Sequence, residues 1–465
     1  MRKHIILAVS LALAACSTPV LQPNVDVAGQ FAAAADSKEE PELAWWESYG
    51  DPVLSDLIRR AARENRDVKV AAERVRAARA GETISRSLLA PSVSAGGSAS
   101  DYRTGYDASV KHVAPPAANL QSLSGELNVA WEVDISGRLR AGAAAAAADT
   151  MAAEYGQRGV RLLVMTDVAA NYFMLVGALR QLETVRAISA AQDETLRLVT
   201  ARQRVGLGTA FDVERAQTEA FRTRAQIPQL ETLVAVSRHR IAVLIGDQAF
   251  NAAAIVPTRG PIAVPAARAG QPAALLQRRP DLLAAKAELD AANARRQEAV
   301  AEWFPRLFLS AAYGRERFEL NGASIGPARF TNAAAMLAMP IFNAGRTKAI
   351  NEIAAAGQSE AVLRYENAIV RSLEDVENAL VALAAERRRA ADLDSASASA
   401  EAALGRAQSF YSRGQSDLLP LLDAQRARLA ARLDANDSNT QLLLDSVQLY
   451  KALGGGWQIF EKEPS

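Results

Sequence analysis

Between residues 345 and 410, apolar side chains return every three or four positions and no proline interrupts them. Val362, Tyr365, Ile369, Leu373, Val376, Leu380 and Leu383 form one such stripe, the signature of a helix with a buried face. At ~1.5 Å per residue, a continuous helix here would reach ~100 Å, about three times the span of a small domain. Residues 138–204 have the same character. Patterns this long predict a coiled coil, a helical repeat or a membrane-associated rod.

The other period in the chain is two. Leu123, Leu127, Val129, Trp131 and Val133 fall on odd positions, against Ser124, Glu126, Asn128, Glu132 and Asp134 on even ones. This alternation predicts a strand over about 119–134 with one apolar and one polar face. Strand character also marks about 91–104, 306–317 and 328–342, the last with Phe330, Asn332, Ala334, Met336 and Ala338 on one parity. Shorter helices are expected over about 53–87, 212–245, 281–302 and 418–453, with Asp51-Pro52 as a capped start for the first. Pro228 predicts a kink or a local break, and Asn321 to Pro327 reads as a loop.

These elements occur twice. Gly137-Arg138 answers Gly345-Arg346, Gly206 answers Gly414, Ala216-Gln217 answers Ala424-Gln425, and Gly246 answers Gly454, all 208 positions apart. Before the strands the offset is 214, pairing Pro91 with Pro305 and Asp67 with Asp281. The unit is helix, strand, strand, long helix, turn, helix. The expected organisation is a signal peptide (1–15), a lipidated tether and equatorial segment (16–52), a first repeat (53–250), a linker (251–275), a second repeat (276–453) and an equatorial tail (454–465).

Composition narrows the function. The chain carries 53 basic and 52 acidic residues, which gives no warrant for nucleic-acid binding. A basic start, Met1-Arg2-Lys3-His4, precedes a short apolar run ending Leu13-Ala14-Ala15-Cys16. This is the form of a bacterial lipobox, with Cys16 as the lipidation site and the only cysteine in the chain. Ser17 follows it, as in lipoproteins sorted to the outer membrane. His4, His112 and His239 are scattered, and no metal-spaced set, phosphate loop or nucleophile elbow is present. The expectation is a non-enzyme without a cofactor or metal.

Four strands per chain cannot close on themselves, and open sheet edges are not tolerated in hydrocarbon. Membrane strands therefore require several chains to share one barrel, and three chains would supply about twelve strands. Asn128, Glu132 and Asp134 would then face water, and Leu127, Val129 and Trp131 lipid. Tyr102, Trp131, Phe304, Phe308, Tyr313 and Phe330 are candidates for an aromatic girdle. The alternative is a soluble coiled-coil protein bearing small hairpins.

An ordered set of motifs then points to one family. They are Trp45-Trp46 through Asp51-Pro52, Trp131-Glu132-Val133-Asp134 with Gly137-Arg138-Leu139-Arg140, and Arg278-Arg279-Pro280-Asp281 with Leu282-Leu283-Ala284-Ala285. Phe304-Pro305, Pro340-Ile341-Phe342-Asn343-Ala344-Gly345-Arg346, Leu421-Leu422-Asp423-Ala424-Gln425 and Tyr450-Lys451-Ala452-Leu453-Gly454-Gly455-Gly456-Trp457 follow in order. Together they span nearly the whole mature chain, which resembles the TolC-like outer-membrane factors, in particular their efflux lipoprotein branch. The resemblance implies a mixed α+β membrane protein: a homotrimer with a twelve-stranded outer-membrane barrel, continued by a long periplasmic helical barrel. It implies a periplasmic adaptor and a resistance-nodulation-division type inner-membrane pump as partners, and no nucleic acid.

In that family the turns after the long helices form a periplasmic gate. The resemblance makes Asp212, Asp423, Asp417, Tyr411 and Arg204 its candidates here. Ser416 and Pro420 stand where the best-known pattern has an arginine and an aspartate. Asp212 also reads as a plain helix cap. Gly206 and Gly414 are expected to reverse the chain, while Pro91, Gly137, Arg138, Pro305, Gly345 and Arg346 mark strand–helix transitions. The leading function is the exit duct of a tripartite efflux pump for small molecules or drugs. Alternatives are the outer component of an ATP-driven or protein-secretion system, and a non-porous periplasmic scaffold.

Overall fold

The structure is a computed structural model. It describes residues 20–461 apart from 28, 34–40, 106–117, 248, 259, 261 and 267. Cys16 and His112 therefore lie outside the described residues. In order, a 3-10 turn at Trp45–Tyr49 leads to α1 (Pro52–Glu64), α2 (Arg66–Ser87), β1 (Ser92–Arg103), β2 (Asn119–Val133) and α3 (Arg138–Arg204). Then come α4 (Ala210–Arg224), α5 (Ile227–Leu244), α6 (Pro280–Ala301), β3 (Arg306–Leu320), β4 (Ala323–Ala338), α7 (Arg346–Ser412) and α8 (Leu418–Leu453). Helices α3 and α7 each have 67 residues, α2 and α6 each 22, so both ends of each pair keep the offset of its repeat.

Two compact units divide the chain. The first takes Val75–Ala153 and Ala285–Tyr365 together with the described residues up to Asn24. At its heart is one antiparallel sheet in the order β1-β2-β3-β4. The central pairing joins the two repeats, from Leu120↔Leu320 to Val133↔Leu307. Asn321 and Gly322, both at positive φ (53° and 84°), close β3 and β4 as a two-residue hairpin. Strand β4 therefore begins at Ala323, inside the stretch expected to be loop, and a bulge between Glu316 and Phe318 absorbs the irregularity around Pro327.

Register assigns every side chain to a face. One face carries Val93, Leu127, Val129, Trp131, Leu307, Leu309, Tyr313 and Leu337, while Ser94, Ser98, Glu126, Asn128, Glu132 and Asn332 lie on the other. The aromatic residues divide between the faces. Trp131 and Tyr313 are on the apolar side, but Phe308 pairs with Glu132, Phe330 shares a row with Glu126, and Tyr102 pairs with Leu120 on the polar side. Phe330 has its own reason: its ring lies over Gly314, where a Cβ would come within 2.6 Å of it.

The second unit takes Val25–Arg74, Glu154–Ala284 and Glu366–Ser465. Its core gathers Trp45, Trp46, Tyr49, Leu54 and Ile58 around Met165, Val168, Tyr172, Phe173 and Leu175 of α3, with Ile241, Leu443 and Val447. Trp45 stacks on Tyr450 with ring centroids 5.2 Å apart. A stretch of α3 is apolar enough to cross a bilayer by composition, yet 67% of it is buried in the protein, which makes it core. Asp51 caps α1, accepting from the amides of Val53 (2.9 Å) and Leu54 (3.2 Å), and also from the Tyr172 hydroxyl (2.5 Å) and Thr258 Oγ1 (2.8 Å). That carboxylate thus ties α1, α3 and the inter-repeat linker together.

One helix expected to be continuous is broken, and the helix expected to kink or break at Pro228 is broken there. Asn65 leaves helical geometry at ψ 137°, separates α1 from α2, and accepts from the amides of Asp67 (2.8 Å) and Val68 (3.2 Å) to start the next helix. The second break, between Arg224 and Ile227, falls just before Pro228, which takes an early position in α5 where its missing N–H costs nothing. The equivalent α8 runs unbroken for 36 residues.

Candidate functional site

Two places carry the residues singled out in the sequence. The first, in the sheet-bearing unit, is where strands become helices. Gly137 adopts φ 80° and Arg138 follows as the first residue of α3. The Arg138 guanidinium donates to both oxygens of Glu132 at 2.9 Å, and Glu298 of α6 lies 3.8 Å away. Asp134 accepts from the amides of Leu139 (3.2 Å) and Arg140 (3.0 Å), so it caps α3 at the helix end that favours negative charge. Partial burial opposes its ionisation, but these amides and the Arg140 side chain hold its carboxyl below the usual range. The expectation that Asp134 lines water with Asn128 and Glu132 is corrected: the strand ends at Val133, and Asp134 turns to the helix start, its spacing before Arg138 being the signal for a cap.

The second repeat builds this corner differently. Gly345 adopts φ 88°, Arg346 is exposed, and Asn343 donates to Thr347 Oγ1 at 2.6 Å in place of the acid–arginine pair. Pro91 and Pro305 each follow a turn that ends the preceding helix, with Ala90 N–H donating to Ser87 O and Phe304 N–H to Ala301 O, both at 3.1 Å. Trp131 fastens this end of the sheet through Nε1, which donates to Leu89 O at 3.1 Å.

The second place, in the other unit, is the pair of turns after the long helices. Gly206 (φ 78°) donates to Gln203 O at 3.0 Å while Leu207 donates to Arg202 O at 2.9 Å. Gly414 (φ 69°) donates to Tyr411 O at 3.0 Å while Gln415 donates to Phe410 O at 2.8 Å. These are the same Schellman closure made twice, each needing a residue free to take left-handed geometry.

Beyond the glycines the turns diverge. Thr209 and Asp212 form a reciprocal capping box: Asp212 Oδ2 accepts from Thr209 N (3.1 Å) and Oγ1 (2.7 Å), and Thr209 Oγ1 accepts from Asp212 N (3.1 Å). The Thr209 side chain, its amide and nearby arginines keep the Asp212 carboxyl below its ordinary range, against a small burial penalty. The Thr-x-x-Asp spacing was the legible signal for this box. Asp417, at the position equivalent to Thr209, begins α8 without a side-chain cap bond and stays exposed. Asp423 is exposed and pairs with Arg426 at 3.1 Å, and Arg426 also reaches Glu219 at 3.4 Å.

Tyr411 and Arg204 make no hydrogen bond or ion pair with these acids among the described residues. Tyr411 is buried with Val199, Leu404, Leu418, Leu421 and Leu422, and the Arg202 guanidinium lies 4.9 Å from its ring centroid. It holds the two turns together from inside. Arg204 is exposed at the last position of α3. Among the described residues no cluster of His, Cys, Asp and Glu could hold a metal ion.

The model of the outer membrane efflux protein family matches residues 57–247 and again 272–455, one match in each repeat. The chain belongs to this family. The pyoverdine export outer membrane protein OpmQ of Pseudomonas aeruginosa is 31% identical over 464 residues, covering 98% of each chain. The toluene efflux pump outer membrane protein TtgF of Pseudomonas putida is 31% identical over 432 residues, covering 91% of this chain and 88% of its own. Among solved structures, the outer-membrane channel OprN superposes with a TM-score of 0.86 at 29% identity, over 95% of this chain and all of that one. This efflux protein is accordingly an outer-membrane component of an efflux system, and its family is one of transport proteins.

Proposed function

We propose that this efflux protein is the exit duct of a tripartite pump, assembled as a homotrimer with one twelve-stranded barrel. The observation that carries the proposal is the sheet itself. It has an apolar face, a polar face, and two outer strands, β1 and β4, with no second partner among the described residues. In a membrane such edges must be paired, and pairing β1 of one copy with β4 of the next closes a barrel. The Ser-rich face with Glu126 and Asn128 would then line the water-filled lumen, and the long helices α3 and α7 would continue its wall in the periplasm.

Energy and choice of cargo would come from a proton-driven inner-membrane pump through a periplasmic adaptor. The relatives move cargoes as different as pyoverdine and toluene, which fits a duct that selects weakly. Cys16 would carry the lipid that anchors the mature N-terminus to the outer membrane, and no residue performs catalysis. The acids Asp212, Asp417 and Asp423 would gather around the trimer axis as a cation-attracting constriction.

Single-channel recording in planar bilayers tests this reading. The purified protein should run as a trimer and conduct, with conductance rising when Asp417 and Asp423 are neutralised. A clean trimer that never conducts, even with both acids replaced by Asn, would make it a scaffold instead.

A further inference from the structure

The apolar face of the sheet does not stay apolar along its whole length. Two residues beyond Tyr313 stands Arg315, directly opposite Arg329 of β4, and Arg317 occupies the next row opposite Leu123. All three are exposed and on the face that carries Leu127, Val129 and Leu309. Like charges placed directly across a strand pair repel each other. Among the described residues nothing relieves that repulsion: Arg315 and Arg329 make no ion pair or hydrogen bond there, and Arg317 donates only to Ser324 Oγ at 3.2 Å. The acids on this face lie one row further toward the strand tips, where Asp101 is held by Arg103 at 2.8 Å and Glu319 pairs with Gln121.

The surroundings of the arginines are shaped as well as charged. In the row of Arg315 and Arg329, strands β1 and β2 present Gly97 and Gly125, and a Cβ added to Gly125 would meet nothing within 4 Å. The three guanidinium groups therefore border bare backbone, with an apolar wall of Leu127 and Tyr313 on one side. Neighbouring strands are ~4.8 Å apart and successive same-face positions ~6.6 Å apart, so all three forks are within reach of one bisphosphorylated head group.

We propose that Arg315, Arg317 and Arg329 bind the phosphates of the glycolipid that forms the outer leaflet of the outer membrane. The inference rests on the membrane reading above, which puts the helix-bearing ends of the strands in the periplasm and these arginines at the outer rim of the apolar band. Phosphate oxygens would neutralise the opposed arginines in the bidentate geometry that guanidinium favours, while acyl chains lie along Leu127, Val129 and Leu309. A basic cluster that costs folding energy in the isolated chain then becomes an attachment for the lipid around the barrel.

The test uses the purified full-length protein in detergent. Native mass spectrometry compares retention of bisphosphorylated lipid A with the same glycolipid stripped of its phosphates. Wild-type protein should retain the phosphorylated form at least about tenfold better. Arg315→Gln/Arg317→Gln/Arg329→Gln should lose that preference, and the corresponding triple Lys variant should keep part of it. Equal retention of both lipids by wild type, or an unchanged preference in the Gln variant, overturns the proposal. Flotation with phosphatidylcholine liposomes separates the causes. A wild type that never floats removes the membrane reading and this inference with it; one that floats without discriminating phosphate removes the inference alone. The Gln variant should float like wild type, which checks its folding.

Discussion

Arg279 donates from Nη1 to the carbonyl oxygen of Ala452 at 3.0 Å, closing the C-terminal end of α8 onto the start of α6. The same closure exists in the first repeat, where Asn65 Nδ2 donates to Leu244 O at 2.8 Å. Asn65 and Arg279 are equivalent positions, as are Leu244 and Ala452, so two unlike residues make one architectural bond. Arg279 adds ion pairs to Asp281 (2.8 Å) and Asp375 (2.9 Å). Burial works against its charge, but the two carboxylates win and hold the guanidinium more firmly protonated than usual.

Removing Arg279 should therefore cost more than removing Asn65. Arg279→Met leaves a buried carbonyl without its donor and two half-exposed carboxylates without their cation, for a loss of about 2–3 kcal/mol. Asn65→Ala removes one cap and one bond, for about 1–2 kcal/mol. Thermal unfolding of the two variants in detergent should rank them in that order.

Gly454 and Gly206 both sit at positive φ (71° and 78°), but their surroundings differ. A Cβ on Gly454 would lie 2.8 Å from the Arg279 Cα, whereas one on Gly206 meets nothing within 4 Å. Gly206→Ala should thus cost only the left-handed strain, ~1–2 kcal/mol. Gly454→Ala must also push the α6 start away and should lower the unfolding temperature several degrees further. Equal shifts would show that strain alone decides both sites.

On the polar face of the sheet, Gly314→Ala places a Cβ 2.6 Å from the Phe330 ring and 2.7 Å from the Gly125 carbonyl oxygen. Phe330→Ala relieves the ring but not the backbone contact. The double variant should recover only part of what Gly314→Ala loses, measured as heat-resistant oligomer on gels. Full recovery would place the whole effect in the aromatic ring.

Acid should loosen one turn before the other. Asp212 has its carboxyl held below the unfolded value, so the capping box contributes stability above about pH 4, lost as pH falls through the folded value. Asp417 makes no cap bond to lose. Hydrogen exchange at Thr209 to Val213 should accelerate in that acid window, and Asp212→Asn should bring the acceleration to neutral pH. Asp417→Asn should leave exchange at the second turn unchanged.

Much of the candidate site was legible because its signals are local. The Gly206 and Gly414 closures, the Thr-x-x-Asp box and the Asp51-Pro52 cap each involve residues within one turn of each other, so spacing alone reports them. Tyr411 was not legible in this way. Its placement among Leu404, Leu418 and Val199 depends on how two turns from different repeats pack, and a tyrosine in the polar last turn of α7 carries no mark of that burial. The break at Asn65 was hidden because the apolar stripe continues across it; the Asn serves both the local amides of Asp67 and Val68 and the carbonyl of Leu244, 179 positions away.

By itself the sequence determined the duplication, the two helices of equal length and the alternation of the strands, because periodicity expresses local backbone geometry and survives without tertiary information. The tertiary structure decided register. Pairing β2 with β3 across the repeats, starting β4 at the Asn321-Gly322 turn and admitting a bulge beside Phe318 together settle which side chains share a face. A slip of one residue would exchange the faces, since side chains alternate at every step. That is why Phe308 and Phe330 came to lie beside the acids, and why Arg315 came to stand opposite Arg329.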